Sequence, residues 1–134
     1  MAQTHRQGHL PTEIKLHRQS HILEVAFEDG QRFSLPCEYL RVYSPSAEVQ
    51  GHHGAGAVLQ IGKEEVNITD MQQIGTYALK IFFDDGHRHG LFTWEYLYKL
   101  GAESRTMWAD YLSRLEQAGH TRRVAGWEAV MSLG

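Results

Sequence analysis

Residues 22–35 (ILEVAFEDGQRFSL) align without a gap on residues 78–91 (ALKIFFDDGHRHGL). Leu23/Leu79, Phe27/Phe83, Asp29/Asp85, Gly30/Gly86, Arg32/Arg88 and Leu35/Leu91 are identical. After one inserted residue Glu38-Tyr39-Leu40 matches Glu95-Tyr96-Leu97. In the first copy Leu23, Val25 and Phe27 share one strand face, and Phe33 and Leu35 continue it beyond the Asp-Gly pair. An Asp-Gly pair tolerates the positive φ values of a type I′ turn, so each copy reads as a hairpin. Pro36 ends the first hairpin, because it has no N–H to give to a ladder. Each copy is therefore strand, Asp-Gly turn, strand, short helix. Two such units predict an α+β domain built on a small antiparallel or mixed sheet. A hairpin solution reached twice without duplication predicts the same structure.

The flanking segments extend this frame. Residues 1–10 are polar and read as a loosely held tail. Ile14 and Leu16 alternate with Lys15 and His17, as in a half-buried strand. Residues 44–63 contain four glycines and read as an ordered loop with a short strand at 58–61. Val66 and Ile68 suggest another short strand, with Asp70 as an N-cap or turn residue. Residues 94–100 read as a helix stopped by Gly101 at the C′ position. Ser104 is placed to cap a further helix to Ala118, ended by Gly119. Its stripe of Met107, Trp108, Tyr111, Leu112 and Leu115 has helical spacing and faces the core. Val124, Trp127, Val130 and Met131 would share a face of a last helix within the extension 119–134, leaving 11–118 as the domain proper.

Composition excludes several classes. A chain of 134 residues with 42% hydrophobic and 22% charged residues is an ordinary single globule. Thirteen Lys+Arg against sixteen Asp+Glu leave a net charge of −3, against a nucleic-acid partner. The single cysteine, Cys37, cannot form an internal disulfide, which fits a reducing compartment. No apolar run approaches a membrane span, so a cytoplasmic protein with no membrane partner is expected.

The familiar catalytic motifs are absent. There is no GxSxG elbow, Walker A loop or CxxC. Residues 51–56 (GHHGAG) are glycine-rich but lack the Gly-Lys-Ser/Thr ending of a phosphate cradle. Cys37, following Pro36 among apolar residues, reads as buried and structural. His87 and His89 are two apart on a strand, so their side chains leave one face and suit a shared metal ion. His52 and His53 are candidates for further ligands, while a solvated hairpin tip explains the same residues without metal. His5, His9, His17, His21 and His120 receive no role.

LRVYSPSAEVQGH (40–52) and GTYALKIFFDDGHRHGLFTWEYLYKLG (75–101) resemble a family of small bacterial proteins. These share a domain with the N-terminal part of gamma-butyrobetaine hydroxylase. The resemblance covers residues 11–115. In the hydroxylases the similar domain precedes a catalytic double-stranded β-helix and holds a structural zinc through three cysteines and a histidine. The resemblance places that histidine at His87 and the CxCxxC cluster on Ser44, Ser46 and Val49, none of which is a thiolate. A similar domain is also appended to plant iron–sulfur scaffold ATPases.

The expected function is a non-catalytic binding or accessory module. Its partner contacts are expected at Arg41, Ser44, Ser46, Glu48 and Gln50, together with the 87–89 hairpin. The alternative is a divalent metal site, zinc or iron, at His87, His89, His52 and His53, linked to oxidoreductase or iron–sulfur pathways. Without a β-helix domain the chain has no place for the 2-His-1-carboxylate iron of an oxygenase.

Overall fold

A computed structural model describes residues 9–46, 49, 58–88 and 90–131. Two three-stranded antiparallel sheets carry the fold. The first is β1 (Pro11–His17), β2 (Ile22–Phe27) and β3 (Arg32–Pro36), followed by α1 (Cys37–Val42). The second is β4 (Ile68–Ile74), β5 (Ala78–Phe83) and β6 (Gly90–Thr93), followed by α2 (Trp94–Ala102). Two further helices, α3 (Ser104–Gln117) and α4 (Trp127–Val130), complete an α+β architecture.

The two Asp-Gly pairs occupy matching hairpin turns. Gly30 N–H donates to Phe27 O and Phe27 N–H to Gln31 O; Gly86 and Phe83 repeat both bonds with Phe83 O and His87 O. The Asp29 and Asp85 carboxylates accept the N–H two residues on, from Gln31 at 3.0 Å and His87 at 3.1 Å. Gly30 and Gly86 both have φ of 90°, whereas neither aspartate has positive φ. The turn is thus a type I turn closed by a glycine bulge, not the type I′ turn expected. The aspartate's own carboxylate stabilises the bend, and one left-handed residue suffices.

The duplication runs one strand further than the aligned sequences. β1 and β4 each slip register at the same place, between Pro11 and Glu13 opposite Phe27 and between Ile68 and Asp70 opposite Phe83. Asp70 lies inside β4 at this irregularity, where its carboxylate accepts Met71 N–H at 2.8 Å, rather than capping a helix. The first residue of each following helix bonds back to its own sheet: Cys37 N–H to His21 O and Trp94 N–H to Tyr77 O.

Both sheets and both unit helices contribute to one core. Leu23, Val25, Phe27 and Leu35 meet Ile68, Leu79, Ile81, Phe83 and Phe92, and the equivalent Leu40 and Leu97 are both fully buried. Each such side chain contributes roughly 1.5–3 kcal/mol of transfer free energy. Among the described residues no helix is long and apolar enough to cross a membrane.

Several local expectations fail for identifiable reasons. Gly101 does not stop α2, which continues to Ala102; it lies within the helix against the ring of Phe33. Ser104 is the first residue of α3 rather than its cap; Glu103 holds the N-cap position, and its side chain makes no capping bond. Residues 58–61 form no strand, and Val58 and Ile61 are exposed. Leu112 is 39% exposed, leaving Tyr111 and Leu115 as the buried anchors of α3. Gly119, at φ 80°, ends α3 as expected: its N–H donates to Glu116 O and that of His120 to Leu115 O, a Schellman arrangement.

Both terminal segments are fastened. His9 stacks on Tyr98 with ring centroids 3.5 Å apart, and its Nδ1 lies 2.8 Å from Glu95 Oε1. Leu10 O accepts the N–H of Glu28, so residues 9 and 10 are held, while residues 1–8 lie outside the described ones. After Gly119 the chain returns across α1. Arg122 grips both oxygens of the fully buried Glu38 at 2.7 Å, and Trp127 Nε1 donates to Glu38 Oε1 at 3.1 Å. Helix α4 is only one turn, and Val124 stands outside it, 81% exposed, so it shares no packed face with Trp127.

Candidate functional site

The site grows from the end of the first unit and the turn of the second. Pro36 ends β3 and α1 begins at once, burying all six of its residues, including Arg41. From there Arg41 Nε donates to Asp85 Oδ2 at 2.9 Å, across 44 residues of sequence. Lys63 Nζ donates to the same oxygen at 2.7 Å, and Asp85 Oδ1 accepts the N–H of His87. Partial burial works against ionisation of Asp85. The hydrogen bonds from Lys63, the His87 amide and Arg41 outweigh it and hold the carboxyl at about 2.

Beyond α1, Ser44 and Ser46 turn inward. His87 Nε2 lies 2.9 Å from Ser44 Oγ and 3.4 Å from Ser46 Oγ, and all three residues are buried. Gly90 makes room for this contact: a Cβ there would lie 2.9 Å from Ser44 Oγ and 2.8 Å from the Phe92 ring. Only glycine allows the strand to approach Ser44 so closely.

Of the residues singled out in the sequence, the fold brings Arg41, Ser44, Ser46 and His87 to this one corner. Glu48, Gln50, His52, His53 and His89 lie outside the described residues. Asp85, Lys63 and Gly90 are additional members. The sequence marks Asp85 only as a turn residue, and nothing local marks Lys63 or Gly90.

The residues at the positions of the hydroxylase zinc site do not fit that metal. Ser44 and Ser46 are neutral hydroxyls engaged with His87, and Val49 is a buried side chain with no donor atom. His87 is the sole ordinary zinc ligand among the four. Cys37 lies elsewhere: its Sγ donates to Asn67 Oδ1 at 3.6 Å, and burial pushes the thiol up to about 12. A thiol held that high is not a ready nucleophile. Among the described residues no group of three or more His, Cys, Asp or Glu is placed to hold a metal ion.

The duplicated units and this corner fall within a recognised domain. The family model described as gamma-butyrobetaine hydroxylase-like, N-terminal, matches residues 14–98, and the chain belongs to that family. One protein solved by solution NMR is 42% identical, with a TM-score of 0.77, the match covering 93% of each chain. A second NMR structure is 48% identical with a TM-score of 0.74, covering 85% of this chain and 90% of the other. A crystal structure of a protein of unknown function of the DUF971 family from Acidithiobacillus ferrooxidans is 39% identical. Its TM-score is 0.59, over 69% of this chain and 93% of that one. No curated protein matches the chain.

Proposed function

We propose that this protein is a non-catalytic binding module that meets a protein partner at the corner formed by Arg41, Ser44, Ser46 and the Asp85–His87 turn. One observation carries the reading. Six polar or charged residues are buried among those described, and four of them (Arg41, Ser44, Ser46 and His87) gather at this corner. Burying polar groups costs stability unless every one is paired, so a fold without use for the corner gains by an apolar one. Support also comes from the duplicated frame, which presents the corner from two rigid hairpin-plus-helix units.

A photo-crosslinking residue in place of the exposed Arg88, with a control at Lys15, tests the reading in cells. A discrete adduct is expected from position 88, absent at position 15 and lost when Lys63→Glu is added. Equal adducts at both positions would overturn it. Calorimetric titration with zinc and ferrous iron addresses the metal-binding alternative at His87, His89, His52 and His53. Saturable binding that His87→Ala abolishes would replace the module reading with that one.

A further inference from the structure

We infer that Arg41 and Lys63 form a recognition site for a carboxylate group. The inference rests on the binding-module reading only for where that carboxylate comes from. Arg41 is 7% exposed, and its Nε is committed to Asp85. Its NH1 nitrogen is buried and has no hydrogen-bond partner. A guanidinium cannot shed its proton to relieve that situation, so the buried N–H groups stay charged donors seeking an acceptor.

Lys63 supplies the second half. Its ammonium carries three N–H donors, of which one is given to Asp85 Oδ2, and its side chain is 21% exposed. Entry is therefore from the Lys63 side. Among the described residues two cations pair with this one carboxylate, a surplus of one positive charge. Asp84, next in the turn, accepts the Asn67 N–H at 3.1 Å and forms no ion pair with Arg41 or Lys63. A monoanionic carboxylate neutralises the surplus and offers acceptors to both cations. A phosphate dianion would overcompensate it beside Asp85. Arginine paired with lysine is a usual chemistry for holding an oxyanion.

The carboxylate belongs either to a free small molecule or to an acidic side chain of the partner. An amide-detected NMR titration of the full chain at constant ionic strength separates these. Its probes are acetate, a C-terminally amidated glutamate-rich peptide, and inorganic phosphate. Saturable shifts at Gly86 and His87 are expected with a carboxylate probe and weaker ones with phosphate. Response to the peptide alone assigns the site to a protein partner, and response to acetate alone to a free ligand. Lys63→Gln should weaken binding about tenfold, the effect of losing one charged contact. Arg41→Lys, which keeps a charge for Asp85 but lacks NH1, should abolish binding. If Arg41→Lys does not fold, Lys63→Gln decides. No saturable shift with either carboxylate, tighter binding of phosphate, or unchanged affinity in Lys63→Gln would overturn the inference. A partner adduct at position 88 without carboxylate binding would remove this inference and leave the module reading standing.

Discussion

Phe33 closes so tightly over Gly101 that a Cβ on the glycine would lie 2.3 Å from the Phe33 Cγ. Gly101 is inside α2 and has no positive φ, so its role is to let a helix of the second unit meet a strand of the first. The Tyr39 hydroxyl donates to Leu100 O at 2.7 Å beside it.

Gly101→Ala discriminates packing from propensity. Helix propensity alone would stabilise the alanine variant by about 1 kcal/mol. The ring contact should reverse the sign, with a net loss of roughly 1–3 kcal/mol in denaturant unfolding. Adding Phe33→Leu should recover part of that loss, since the two residues touch.

Helix α3 should respond unequally to truncation of two leucines. Leu115 is buried, and Leu115→Ala is expected to cost roughly 2–5 kcal/mol. Leu112 is exposed, and Leu112→Ala should change stability by less than about 0.5 kcal/mol. Equal effects would mean that α3 is rotated from the orientation described.

The C-terminal strap should be inseparable from the domain's stability. Arg122→Met leaves the fully buried Glu38 without its countercharge, and breaking a buried pair costs about 3–5 kcal/mol. Trp127 fluorescence should shift red as the strap lifts, because its indole N–H also depends on Glu38. A variant with unchanged midpoint and emission would place the strap's anchorage elsewhere.

Acid should reveal Asp85. Its carboxyl is held at about 2 in the folded protein, below the ordinary value of 3.8. A depressed folded value contributes stability that is present above the ordinary value and lost as pH falls through the window from about 4 to 2. Solvent screening at this exposed turn holds the contribution to about 1 kcal/mol. Asp85→Asn should be less stable than wild type near neutrality and show a flatter stability profile across that acid window. Parallel profiles for the two proteins would show that Asp85 is not paired as described.

The hairpins were legible because the signals that make them are local. Strand alternation around Asp29-Gly30 and Asp85-Gly86, the missing N–H of Pro36 and the left-handed Gly119 each act on their immediate neighbours. The third strand of each unit was harder to see, because β1 and β4 share little beyond Thr12/Thr69 and an acid at Glu13/Asp70. Their equivalence is carried by pairing register, which lies in the partner strand.

Local sequence thus determined the duplicated hairpin-plus-helix units, and the family resemblance drew attention to Arg41, Ser44, Ser46 and His87. Tertiary structure decided what those residues do. Ser44 meets His87 across 43 residues, Arg41 meets Asp85 across 44, and Glu38 meets Arg122 across 84. A buried polar group is tolerable only when a partner arrives from elsewhere in the chain, and no periodicity or turn propensity encodes that arrival. Lys63 and Gly90 join the corner for the same reason: one supplies a second cation to a shared oxygen, the other the absence of a Cβ where Ser44 must fit.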